Sequence, residues 1–118
     1  MSRPIKFRAW VEEEKWDYYA YNIQKRADMA EWFGHPTIHI EQYTGAKDKN
    51  GKEIYEGDIV KISAYSRVFQ VVYREWDCSF VYENDEDEVI VSIFKDFPNA
   101  YEVIGNIHEN KKLLGGEE

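Results

Sequence analysis

At 118 residues, 43% hydrophobic and 32% charged, the chain suits one domain or two small sub-domains, and its body is too apolar to be disordered. An aromatic content of 16% leans toward sheet, because aromatic rings fit a pleated, half-buried surface. The net charge of −8 is uneven: ten acids stand against nine bases up to Gly57, and thirteen against six from Asp58 onward. Duplex nucleic acid favours basic surfaces, so the later half is a poor candidate for gripping DNA.

No apolar run approaches the ~20 residues that span a membrane, and Met1–Pro4 lead straight into Ile5-Lys6-Phe7 with no signal-like apolar core. Ile5, Phe7, Ala9 and Val11 alternate with Lys6, Arg8 and Trp10, the period of a half-buried strand. Glu12–Glu14 form a charged connection to a second strand, Trp16 to Tyr21, which completes a hairpin. Ile23, Ala27, Ala30 and Trp32-Phe33 then suggest one short amphipathic helix over about 23–33, ended by Gly34-His35-Pro36.

Thr37 to Thr44 reads as the next strand, with Ile38 and Ile40 facing one way and His39 on the less buried side. The polar run Gly45 to Lys52 reads as a turn, centred on Asn50-Gly51, where both residues tolerate positive φ. Ile54-Tyr55-Glu56-Gly57-Asp58 makes a second corner before the strand Ile59 to Ile62. Further strands are expected at Phe69–Trp76, Ser79–Glu83, Glu88–Phe94 and Tyr101–Ile107, with a terminal helical turn over Glu109–Leu114 and a frayed tail. The series predicts a mainly β chain. An N-terminal antiparallel β sub-domain (1–45) packs with a small SH3-like barrel sub-domain (46–118), most simply as one compact unit.

Chemical motifs are sparse. Cys78 has no partner for a disulfide, which fits a reducing compartment, and Glu75 and Asp77 beside it would raise rather than lower a thiol pKa. Glu83 to Glu88 places five carboxylates in six positions, but lacks the glycine and distal acid of a calcium loop, so it reads as a solvated hairpin tip. Asp48-Lys49-Asn50-Gly51 resembles the start of such a loop, yet Ile59 stands where the closing ligand belongs. His35, His39 and His108 match no zinc spacing. No glycine elbow or phosphate-cradling loop occurs, so no enzyme, cofactor or metal is expected. Arg8, Trp10, Tyr18, Tyr21, Lys25 and Arg26 are the best candidates for a nucleic-acid or partner face, by stacking and charge.

The segment Gln42 to Val60 (QYTGAKDKNGKEIYEGDIV) resembles the signature of the YopX-like proteins of phages and prophages. Ile5–Trp10 (IKFRAW) and Tyr101–Asn110 (YEVIGNIHEN) agree, so three motifs bracket most of the chain in order. The resemblance implies a mainly β fold with an SH3-like barrel portion and carries no catalytic residues. It makes Tyr43, Thr44, Gly45, Asp48, Gly51, Tyr55, Gly57, Asp58, Gly105 and Asn106 fold determinants first. It also implies a phage or prophage origin and action in the cytoplasm of a bacterial host. The expected task is a non-enzymatic accessory one, through contacts with a second copy or with a host or phage protein. Nucleic acid is the alternative partner, disfavoured by the net charge.

Overall fold

A computed structural model describes residues 5–13, 16–27, 29–62, 68–75, 79–84, 89–92 and 100–110. The chain divides into two compact units, Met1–Tyr43 and Thr44–Glu118. Antiparallel strands dominate both, and among the described residues no helix is long and apolar enough to cross a membrane.

In the first unit, β1 (Phe7–Glu12) lies between β2 (Asp17–Tyr21) and β3 (Ile38–Lys47). The hairpin register sets Arg8 against Tyr21, Trp10 against Tyr19 and Val11 against Tyr18. On its other side Arg8 meets Glu41 and Trp10 meets His39. Being central, β1 is covered on both faces: Arg8, Ala9, Trp10 and Val11 are all buried, which corrects the half-buried reading of its alternation. Ala9 and Val11 pack with Ile23, Phe7, Ala20, Trp32, Ile38 and Ile40 into one core cluster.

The stretch expected to be one helix is split. Ile23–Lys25 is a 3-10 turn entered through Asn22 at φ 59, and Arg26 is extended. Among the described residues of this stretch only Met29–Trp32 (α1) is α-helical. The apolar positions are too few and too short in span to hold a continuous helix, since its first turn is costly and is recovered only by length or packing. The 3-10 turn is instead anchored locally, by buried Ile23 and by the Phe7 amide donating to Gln24 Oε1 at 2.8 Å. Gly34, at φ 82, follows α1 as the glycine-proline signal indicates.

Strand β3 continues to Lys47, so Gly45-Ala46-Lys47 belongs to a strand and the turn begins only at Asp48. Next to β3 lies β4 (Glu53–Tyr55). The remaining strands of the second unit are β5 (Asp58–Ile62), β6 (Val68–Arg74), β7 (Ser79–Asn84), β8 (Val89–Ser92) and β9 (Tyr101–Asn106). They form a five-stranded sheet in the order β8-β7-β6-β5-β9. Among the described pairings β8 and β9 are its two ends. Trp76, Cys78, the acidic tip 85–88 and residues 111–114 of the expected terminal turn lie outside the described residues.

The core of the second unit joins Ala46, Ile54, Val60, Ile62, Phe69, Val71, Tyr82 and Tyr101. Each fully buried aliphatic or aromatic side chain there is worth roughly 1.5–3 kcal/mol. Within it, the Tyr82 ring packs 4.8 Å from that of Tyr101. Its hydroxyl is buried without a hydrogen-bond partner among the described residues. Burial, reinforced by Tyr101, Asp58 and Asp48, pushes that phenol far above its ordinary pKa, so it stays neutral. Replacing it by Tyr82→Phe is expected to leave stability unchanged or raise it by up to about 1 kcal/mol in urea unfolding, because an orphaned buried hydroxyl costs more than it returns. A loss above about 1 kcal/mol would show instead that the hydroxyl is satisfied.

Candidate functional site

Three polar residues of the central motif, Thr44, Asp48 and Asp58, are turned inward, and each binds backbone. Asp48 is 3% exposed and sits where β3 ends. Its Oδ1 accepts from the amides of Asn50 and Lys52, each at 2.9 Å, and its Oδ2 accepts from the Val103 amide at 2.9 Å. The main chain repeats the link: the Lys49 amide donates to Tyr101 O at 2.9 Å, and the Asp48 amide to Lys52 O at 2.9 Å. The turn closes as Gly51 N–H donates to Asp48 O at 3.0 Å, with Gly51 at φ 82, a conformation costly for any residue with a Cβ. Asn50 is not in that left-handed region.

Burial alone would raise the Asp48 carboxyl. The three amide bonds, from Val103, Lys52 and Asn50, together with the Lys52 charge, outweigh it and hold the pKa below the ordinary aspartate value. The consequence is an anion that ties a turn to strand β9 of its own unit. Three of its roughly four acceptor sites are taken by main-chain amides.

Three further corners use the same device. Thr44 Oγ1 donates to Ile54 O at 2.8 Å and accepts from the Ala46 amide at 3.1 Å. Asp58 Oδ2 accepts from the Tyr55 amide at 2.8 Å, while Gly57 bonds through its amide to Val71 O and through its carbonyl to the Ile107 amide, both at 2.9 Å. Asn106 Oδ1 accepts from the His108 and Glu109 amides at 3.0 and 2.9 Å, and its Nδ2 donates to Glu109 Oε1 at 2.9 Å. Asn110 closes the loop, its Oδ1 accepting from the Asn106 amide at 3.1 Å. That side chain lies over Gly105, where a Cβ would meet Asn110 Oδ1 at 2.6 Å. Tyr43 and Tyr55 are buried, with Lys6 Nζ lying 5.3 Å from the Tyr43 ring centroid.

In the first unit the six residues of the expected nucleic-acid or partner face are not brought together. Arg8 is 2% exposed and its Nε donates to Glu41 Oε1 at 2.8 Å. Its guanidinium also lies 4.1 Å from the Tyr19 ring centroid, and the Tyr19 hydroxyl donates to the same Glu41 oxygen at 3.0 Å. Trp10 is buried against Tyr19, ring centroids 5.0 Å apart. Tyr18, Tyr21, Lys25 and Arg26 are exposed, with the Arg26 guanidinium 4.5 Å from the Trp32 ring centroid. By the strand register Tyr18 shares the face of Val11 and Tyr21 the opposite face of Arg8. A single stacking platform is therefore not formed.

The sequence carried a signal for the Arg8–Glu41 pair that its reading missed. Arg8 stands inside the apolar run Phe7 to Val11, and a charge amid a central strand needs a buried partner. Among the described residues no three His, Cys, Asp or Glu side chains gather to hold a metal ion. His39 approaches Glu12 at 3.6 Å, and His35 Nδ1 lies 3.2 Å from Thr37 Oγ1, both at exposed positions.

These corners are where the central motif falls, and the family model described as YopX protein matches residues 6–115. The chain belongs to the YopX family. A solved structure, that of protein EF1440 from Enterococcus faecalis, is similar at a TM-score of 0.61 and 24% identity, over 96% of this chain and 99% of that one. Identity at that level speaks to fold alone. No curated protein matches the chain. In this YopX chain, side chains of the central segment, Thr44, Asp48 and Asp58, hold backbone, as Asn106 does near the end of the matched region.

The Asp48 carboxyl has a native pKa depressed below the ~3.9 of an unfolded aspartate. Its stabilisation is therefore complete above that value and is lost as pH falls through the native pKa. At neutral pH Asp48→Asn is expected to cost about 2–3 kcal/mol in urea unfolding, as hydrogen bonds to a buried charge weaken. The gap between the variant and the unsubstituted protein should narrow below about pH 4. A gap independent of pH would contradict this role.

Proposed function

We propose that this YopX chain is a non-enzymatic phage or prophage accessory protein that works through protein contacts, self-association among them, in the cytoplasm of a bacterial host. The observation that supports this most is the distribution of exposed rings around one strand. Trp16, Tyr18 and Tyr21 are 66%, 39% and 49% exposed, and all belong to the β2 region at the end of its sheet. Edge strands that display large side chains gain from pairing, and aromatic rings are the side chains most enriched at contact surfaces. The polar residues that sequence motifs would nominate for chemistry are occupied by backbone: Thr44, Asp48, Asp58 and Asn106 each bind main-chain groups of their own unit.

Light scattering on the purified chain, joined to a pull-down from a lysogenic or infected host, tests the reading. The expected result is a mass above that of one chain at micromolar concentration, with a specific protein retained on the bait. A strict monomer that captures no protein would overturn it, and turnover of a substrate by the chain alone would remove the non-enzymatic part.

A further inference from the structure

The two sheets have four ends among the described residues, β2, β4, β8 and β9; β4 is three residues long and its Tyr55 amide is taken by Asp58 Oδ2. The outer side of β9 is already occupied by the Asp48 turn, through Val103 N–H to Asp48 Oδ2 and Lys49 N–H to Tyr101 O, both 2.9 Å. This leaves β8 in the second unit and β2 in the first as strand-free ends among the described residues.

Strand β2 is built unlike a protected edge. Natural edges discourage pairing with lysine, proline, a bulge or an inward charge. Apart from the exposed charge of Asp17 at its start, the sequence Asp17-Tyr18-Tyr19-Ala20-Tyr21 has none of these, and its register with β1 is regular through all five residues. Exposed rings project from both of its faces, Tyr18 on that of Val11 and Tyr21 on that of Arg8, so an added strand would be flanked by aromatic surface on either side.

The charges give the direction of the partner. In sequence, Glu13, Glu14 and Asp17 stand against Lys15 at the start of β2, and Lys25 and Arg26 stand against Asp28 beyond its end, so the one side is net acidic and the other net basic. A second copy of β2 laid antiparallel brings the acidic end of each copy beside the basic end of the other. Laid parallel, it brings like charges together at both ends. Strand β8 has no such opposition: Asp85 to Glu88 precede it, and Lys95 and Asp96 follow it with no net charge.

We infer that β2 is the pairing edge of a two-fold homodimer, taking the β2 of a second copy in antiparallel orientation. This rests on the reading that the chain self-associates, and it names the surface. The interface is isologous, so each charge contact occurs twice, as two-fold symmetry requires. Reversing one end of the strand therefore makes both contacts repulsive in a homodimer.

The test compares three full-length proteins by sedimentation equilibrium at low salt: the unsubstituted chain, Lys25→Glu/Arg26→Glu, and Glu13→Lys/Asp17→Lys. Circular dichroism melts check that each is folded, and Lys25→Glu alone serves if the loss of Arg26 from the Trp32 ring unfolds the double variant. The unsubstituted chain is expected to be a dimer, and each variant to dissociate about tenfold more readily, because like charges then meet at both ends. An equimolar mixture of the two variants should restore the dimer, as a heterodimer with both contacts complementary. Variants that associate as the unsubstituted chain does would overturn β2 as the surface and leave self-association standing. A monomeric unsubstituted chain would overturn both.

Discussion

A buried carboxylate that accepts three main-chain amides organises the second unit. Asp48 gathers Asn50, Lys52 and Val103 onto its two oxygens, and those donors lie two, four and fifty-five residues along the chain. The first two define the turn; the third fastens it to a strand far away in sequence. Such charge-assisted bonds are stronger than neutral ones, and no other side chain of that length offers two acceptors with no donor to waste. Because the turn rests along β9, Asp48 Oδ2 satisfies the Val103 amide and the Lys49 amide satisfies the Tyr101 carbonyl, groups that an edge strand would otherwise expose. Thr44, Asp58 and Asn106 extend the principle to the neighbouring corners, each replacing a missing ladder bond with a side-chain one.

The first unit solves a different problem. Arg8 and Glu41 are both buried, in adjacent strands at directly paired positions. Bringing two charges out of water is costly, and the pair is tolerable only because its members face each other and Tyr19 adds both a ring beneath the guanidinium and a hydroxyl to the carboxylate. The pair also sets register: a slip by one residue would send Arg8 to the apolar face and leave Glu41 unpaired. Its cost to the functional reading is direct, since Arg8 and Trp10 are withdrawn from the surface. What remains exposed on β2 is Asp17, Tyr18 and Tyr21.

Much of this was legible beforehand. Alternation in Ile5 to Val11, the Asn50-Gly51 turn and the Gly57-Asp58 corner marked strands and bends, because period and turn chemistry are local properties. The helix over 23–33 was half legible: its residues favour a helical turn, while the anchoring of Ile23 and Gln24 that splits it is a tertiary effect. The burial of Arg8 depended on β1 being central, and strand order is not written in any one strand. The role of Asp48 was hidden for the same reason, since Val103 is remote in sequence and neutral in type. Alternation along the predicted strand already sets Tyr18 and Tyr21 on opposite faces, whereas the place of β2 at the end of its sheet is a matter of strand order.

The most direct test of the account is amide hydrogen exchange at Val103 in the unsubstituted chain and in Asp48→Ala. If the Asp48 carboxylate holds the turn onto β9, the Val103 amide is protected in the former. In the variant it should exchange about 10–100-fold faster, relative to central-strand amides such as Val71 and Val81, as a locally opened edge does. Equal protection of Val103 in the two proteins, measured against the same central amides, would contradict the claim that this one carboxylate holds the turn onto β9.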